Sequence, residues 1–265
     1  MKGFWKLAVL SATLMAGCTK PGTTRIGDLV MQEATIDTVV ALTDEAHSPT
    51  CELSLHFLYA TGKDSARLNT TLRHSNLLPA DYVPDSADKQ DIHTFLKRFS
   101  QTFLSAYRRE NKGLYLNDRQ HADTYTQALL ISTAAKSLRD GVLTYEATIV
   151  SKLGEHETYR ESRVVNIDMR TGQALTLDSL LLHGYETRLK AVLTHKLMDR
   201  FHCSDPGELA TRHGVLVNQD MYIPANFIAG QDRLTFIFNP DEIAPHLVGE
   251  IRLVADRKDL GKLLK

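Results

Sequence analysis

The sequence predicts an α+β protein, with mainly antiparallel sheets and two or three amphipathic packing helices. Three observations predict it. Apolar residues alternate or run together in β-branched stretches that end at Gly, Pro and Asn turn signals. Two longer stretches instead repeat apolar residues at intervals of three and four, the helical period. The strands come in runs and do not alternate with helices one for one, which argues against a parallel βαβ order.

In chain order, Thr35 to Leu42 is strand-like through its β-branched content. Cys51, Leu53, Leu55, Phe57 and Tyr59 alternate onto one face of a second strand. Ser65 to Leu78 reads as a helix through Leu68 and Leu72, closed by Pro79. The clearest helix is Asp88 to Arg109, where Ile92, Phe95, Leu96, Phe99, Phe103 and Tyr107 form an aromatic-rich stripe. Such a stripe is better explained as core than as a cofactor box. Thr124 to Ser137, Leu143 to Lys152 and Thr158 to Met169 read as successive strands joined at Gly141 and Gly154, and antiparallel pairing is the economical expectation. After a turn at Arg170-Thr-Gly172 comes a short strand, Ala174 to Leu177. Tyr185 to Phe201 is a second amphipathic helix, and Asp205-Pro-Gly207 breaks it before a helical turn at Glu208 to Arg212. The closing strands are Phe227 to Ala229, Leu234 to Phe238 and Glu250 to Ala255. Between the last two, Asn239-Pro240 and Pro245 frame a loop with room for one helical turn at Asp241 to Ile243.

With 43% hydrophobic and 24% charged residues the composition is that of an ordinary globular protein. A formal net charge of −1 with no concentrated basic face argues against nucleic acid as a partner. Lys2 and Lys6 precede a short apolar run, Leu7 to Gly17, which reads as a secretory signal too short to span a membrane. Its end, Leu14-Met-Ala-Gly-Cys18, resembles the bacterial lipobox, in which the cysteine is acylated and becomes the mature N-terminus. Cys18 is therefore the expected lipid anchor, since acyl chains contribute about 0.8 kcal/mol per buried methylene. The expected organisation is 1–17 leader, 18–27 tether, 28–140 N-terminal α+β domain and 141–265 C-terminal α+β domain. No acidic retention or export signal follows the cysteine, so the expected location is the outer membrane, facing the periplasm. In that oxidising compartment Cys51 and Cys203 are candidates for a disulfide; two separate buried thiols are the equal alternative.

Two motifs carry a family resemblance. The first is Val164-Val-Asn-Ile-Asp-Met-Arg-Thr-Gly-Gln-Ala-Leu-Thr-Leu-Asp-Ser-Leu180. The second is Phe238-Asn-Pro-Asp-Glu-Ile-Ala-Pro245, closed by Gly249-Glu-Ile251. In this order, and with a helix between them, they resemble a bacterial domain-of-unknown-function family. That family includes the lysozyme-binding extracytoplasmic part of the RsiV anti-sigma factor and the non-catalytic region of the PdaC peptidoglycan deacetylase. The resemblance covers about residues 146–260 and implies an α+β binding domain. The chain departs from it at Asp241, where the family commonly has tyrosine, and at His246, where it has an aromatic. Lysozyme binding therefore does not carry over.

No metal site or cofactor is implied, because His-Glu-x-x-His and Cys-x-x-Cys spacings are absent from the sequence. His195 and His202, with Cys203 beside them, sit near one helix face, where surface histidines are the simpler reading. No nucleophile elbow or phosphate loop appears. The candidate ligand-binding residues are Asp241, Glu242 and His246. Glu242 has a competing structural role in bonding its own loop. The leading expectation is a lipid-anchored, non-catalytic binding module for a protein (lysozyme-like) or a cell-wall glycan. The alternatives are a hydrolase acting on peptidoglycan or another glycan, and a structural envelope assembly factor.

Overall fold

A computed structural model describes residues 22–63, 65–84 and 90–265. The leader and Cys18 lie outside the described residues. Six strands form one sheet in sequence order: β1 (Thr23–Ile26), β2 (Leu29–Ala41), β3 (Thr50–Thr61), β4 (Gln127–Arg139), β5 (Val142–Leu153) and β6 (Tyr159–Asp168). Three further strands, β7 (Phe227–Ala229), β8 (Arg233–Phe238) and β9 (Ile251–Asp256), form an antiparallel second sheet. The class is α+β with mostly antiparallel pairing, as the strand runs predict.

The pairing departs from antiparallel at one place. β3 and β4 run parallel, with Cys51 opposite Gln127 and His56 opposite Ser132. Between them the chain crosses over through α1 (Ser65–His74) and α2 (Ile92–Asn117), and such a crossover returns it to the end from which it left. α2 begins at Asp91, whose carboxylate accepts the N–H groups of His93 and Thr94. Its apolar stripe, including Phe95, Phe99 and Tyr107, is buried against the sheet face that carries Cys51, Leu53, Leu55 and Phe57. Tyr145 completes this core, and its buried hydroxyl donates to Leu58 O at 2.6 Å.

Two hydrophobic clusters divide the chain. The first runs from Ile26 to Ile167 with Met169 packed against it; the second begins at Leu175 and Leu177 and runs to Leu263. Position 140 lies in the β4–β5 turn, so the strands on either side of it pair in one sheet and share the first core. The segment 23–26, which composition assigns to a tether, is strand β1, because Gly27 at φ 58 turns the chain back onto Leu29–Gln32. The expected strand at Ala174 to Leu177 reduces to a single bridge, Ile167 to Ala174, since Leu177 opens the short helix α3 (Leu177–Leu180) capped by Thr176.

The second sheet is backed by α4 (Glu186–Phe201), α5 (Pro206–His213) and the terminal turn α6 (Arg257–Leu260). Leu189, Leu193 and Leu197 of α4 meet Phe236, Phe238, Ile251 and Leu253 in its core. The opposite face of this sheet meets β5 and β6. Arg252 on β9 donates to Glu146 on β5 at 2.7 Å and to Glu250 at 2.5 Å, and Lys136 lies 3.7 Å from the same Glu146. Cys51 and Cys203 are separate free thiols, one in the first core and one at the margin of the second, so the candidate disulfide is not formed. Burial pushes the Cys51 thiol up to about 12. Among the described residues no helix is long and apolar enough to cross a membrane.

Candidate functional site: the β8–β9 loop and the clefts beside it

The loop leaves β8 at Asn239, whose side chain is buried. Its Oδ1 accepts the backbone N–H of Ser162 at 2.8 Å, and its Nδ2 donates to Glu242 Oε1 at 3.3 Å. Asn226 works beside it: Oδ1 accepts from Val164 N at 2.8 Å, and Nδ2 donates to Ser162 O at 2.7 Å. Two asparagine side chains thus supply what a neighbouring strand would supply to the outer edge of β6. Asn166 answers from β6, donating to Phe227 O at 2.8 Å and accepting from Ala229 N at 3.0 Å. The first motif is equally structural: the Asp168 carboxylate accepts the N–H groups of Arg170 and Thr171 and closes their turn.

Beyond Asn239, the Pro240 carbonyl accepts from Tyr159 OH at 3.1 Å, and Asp241 takes a left-handed conformation at φ 67. Ile243 and Ala244 then dip into the second core. The expected helical turn at Asp241 to Ile243 is a simple turn closed by Glu242 N to Asn239 O. The helical turn comes after Pro245, as a 3-10 turn at His246–Val248, and Gly249 at φ 72 releases the chain into β9.

This path sends the three candidate side chains to different flanks. Glu242 lines a cleft of about 340 Å³ between the segment Ser75–Leu77, β6 and Tyr222–Asn226. Its Oε2 accepts from Tyr222 OH at 2.9 Å, so the carboxylate bonds the side chains of Tyr222 and Asn239 and not the backbone N–H groups of its loop. Burial, and then the neighbouring Glu242 carboxylate, push the Tyr222 hydroxyl well above the usual phenol range. The opposite wall carries Glu161 and Arg163, paired at 2.6 Å, and Arg163 also donates to Leu78 O at 2.8 Å. Every ionisable side chain on this cleft's lining is therefore engaged with an internal partner.

Asp241 and His246 come together on the other flank. His246 Nδ1 lies 2.9 Å from Asp241 Oδ2, and its Nε2 lies 3.9 Å from Glu157 in the β5–β6 turn. The imidazole stacks on Tyr159 with ring centroids 5.8 Å apart. The Asp241 hydrogen bond raises the His246 pKa above its ordinary value; partial desolvation opposes this and Glu157 adds to it. Beside His246 at the loop tip, Leu247 is 89% exposed.

Several residues here had weaker signals in the sequence. Glu161-x-Arg163 is an i, i+2 pair of opposite charge, which a strand places on one face. In the Gly154-Glu-His-Glu157 turn it is Glu157, not His156, that reaches His246. Tyr222 and Leu247 sit in segments whose fold could not be read locally. His195 pairs loosely with Asp199 at 3.7 Å, and His202 is the left-handed cap of α4. Among the described residues no group of three His, Cys, Asp or Glu is placed to hold a metal ion.

A family profile described as "Protein of unknown function (DUF3298)" matches residues 178–254, from α3 to β9. No curated protein matches the chain. Among solved structures, a DUF3298 family member from Bacteroides fragilis superposes with a TM-score of 0.78 at 18% identity, covering 91% of this chain and 96% of its own. A DUF3298 family protein from Pseudomonas aeruginosa gives a TM-score of 0.58 at 12% identity, covering 89% and 94% respectively. At these identities the likeness is one of fold. The chain thus carries a DUF3298 domain of unknown function at residues 178–254 and shares the fold of solved members of that family along most of its length.

Proposed function

We propose that this protein is a lipid-anchored lipoprotein of the cell envelope, held by Cys18 at the outer membrane. Its α+β body serves as a non-catalytic binding module for a protein or a cell-wall glycan. The contact surface is the tip of the β8–β9 loop, with Leu247 as apolar anchor and His246 and Asp241 as the polar groups beside it. The observation that carries this reading is the divergence of the loop's side chains. Glu242 is consumed in the cleft wall by Tyr222 and Asn239, while Asp241 and His246 pair on the opposite flank next to a bare leucine. Most glycan hydrolases act with two carboxylates placed on either side of the scissile bond. Here Glu161 is paired with Arg163 and Glu242 accepts from Tyr222, so both carboxylates of the cleft are engaged in internal contacts. Leu247 is the most exposed large apolar side chain among the described residues, and the Asp241–His246 pair places hydrogen-bonding groups beside it.

The test is capture of lysozyme, peptidoglycan fragments and purified envelope components on immobilised protein, comparing the native chain with Leu247→Asp. Retention of one of these by the native chain and its loss in the variant supports the reading. Equal recovery on both surfaces, or on neither, rejects it. Anchoring is tested separately: Cys18→Ser should release the protein from the membrane fraction, and unchanged fractionation refutes lipidation.

A further inference from the structure

A second surface lies at the far side of the larger sheet. β1 pairs with β2 only from Leu29 to Gln32, so β2 continues from Glu33 to Ala41 with β3 on one side and no strand on the other among the described residues. The direction of its backbone groups follows from the ladder. Leu42 N donates to Pro49 O at 2.8 Å, which makes 42 and 49 a hydrogen-bonded pair, and such pairs recur at every second residue. Ala34, Ile36, Thr38 and Val40 therefore point their N–H and C=O groups at β3. Glu33, Thr35, Asp37, Val39 and Ala41 point theirs outward. The other strand agrees: Ala60 and Leu58, opposite Met31 and Glu33, send their N–H groups away from β2, to Asn69 and Thr133. Among the described residues, the one outward group that has a hydrogen-bond partner is Ala41 O, which Arg108 of α2 reaches at 3.4 Å.

An edge of this kind is a template for another strand, and proteins usually blunt it with charged side chains (above all Lys), Pro or a bulge, which narrows pairing to partners of complementary charge. Glu33–Ala41 contains no Lys, Arg or Pro, and its pairing to β3 is uninterrupted. Its outer face is acidic instead. Glu33 and Asp37 flank His56 at 3.6 and 3.4 Å, and Glu52 sits opposite Val39, which is 63% exposed. Asp37 at the centre also selects the partner. A second copy pairing antiparallel over the whole run would set Asp37 directly against itself, and like charges in that position repel.

We propose that the Glu33–Ala41 edge of β2 receives an extended peptide segment of a partner protein, added as a further strand. The segment carries Lys or Arg at alternate positions, facing Glu33, Asp37 and Glu52. Main-chain hydrogen bonds supply the affinity and the acidic face supplies the selection. This surface is independent of the β8–β9 loop, so either reading can fail without the other.

The test uses the full-length chain and a synthetic peptide of alternating Lys and Val long enough to span Glu33–Ala41, read by residue-resolved amide hydrogen exchange. The peptide should slow exchange at Glu33, Thr35, Asp37 and Val39 and leave Ala34, Ile36 and Thr38 unchanged. The same peptide with alternate amides N-methylated should have no effect, and a Glu-Val peptide should not bind. Asp37→Lys should weaken binding by about tenfold, as an attractive cross-strand pair becomes repulsive. Unchanged exchange at the four outward amides under saturating peptide overturns the proposal. So does protection present without peptide and lost on dilution, which would assign the edge to a second copy of the chain.

Discussion

The side-chain carbonyl of Asn239 accepts the backbone N–H of Ser162 at 2.8 Å, across 77 residues of sequence. Asn239 opens the loop of the smaller sheet, and Ser162 lies on the outer strand of the larger one. The bond is therefore a joint between the two sheets, repeated nearby by Asn226 on Ser162 O and Val164 N.

Removing the joint should destabilise the whole fold. Asn239→Ala leaves a buried N–H without an acceptor, at a cost of about 1–3 kcal/mol. Asn239→Asp keeps that acceptor but sets a second carboxylate beside Glu242 in place of a donor, so its deficit should shrink as pH falls. Urea denaturation at two pH values separates the two variants. Equal, pH-independent losses would contradict the assignment.

Tyr222→Phe should cost about 1 kcal/mol, the net worth of the hydroxyl bond to Glu242. Because the tyrosine sits in the cleft wall and not at the loop tip, ligand capture should survive the change. Loss of capture in a folded Tyr222→Phe protein would move the contact surface into the cleft.

His246 should titrate above its ordinary value of 6.5, with Asp241 as the principal cause and Glu157 as a lesser one. A folded-state pKa raised above the unfolded one means that the stabilisation is complete below about pH 6.5 and is lost as pH rises through the raised value. NMR titration of the imidazole checks the direction, and Asp241→Asn should bring the value down. A titration at or below 6.5 in the native chain would contradict the pairing.

Gly154→Ala should be among the most damaging single-methyl changes. The residue has φ 56, and a Cβ would meet Thr124 O at 2.7 Å, a backbone atom that cannot swing away. Strain at positive φ alone costs about 1 kcal/mol, and the clash adds to it. Thermal denaturation provides the measurement.

Thiol chemistry should distinguish the cysteines. In a Cys18→Ser form, Cys203 should react with an aromatic disulfide reagent under native conditions. Cys51 should react only after unfolding, because burial holds it protonated.

Most elements of this fold are legible in the sequence because their signals are local. The alternation Cys51–Tyr59 and the stripe Ile92–Tyr107 declare a strand and a helix without reference to anything else. Which strand meets which is a non-local matter. Nothing in Gln127–Arg139 says that β4 lies parallel to β3, or that Val142–Asp168 extends that sheet, so the place where the two cores divide could not be read from residue patterns. The short β1 was hidden by a polar, breaker-rich composition, because its strand character comes from pairing with Leu29–Gln32 and not from its own residues. At the candidate site, the Asn-Pro turn and the loop framed by Pro245 followed from backbone rules. The parting of Glu242 from Asp241 and His246 did not, since it depends on the left-handed conformation of Asp241 and on Tyr222 arriving from elsewhere.

On the proposed reading, the β8–β9 loop tip binds a ligand and does not catalyse. Capture on immobilised native chain and on Leu247→Asp, with purified lysozyme, peptidoglycan fragments and envelope components offered in parallel, tests this most directly. One of these should be retained by the native chain, be lost from the variant and be recovered chemically unchanged. Equal retention on both surfaces, no retention on either, or recovery of cleaved ligand would contradict it.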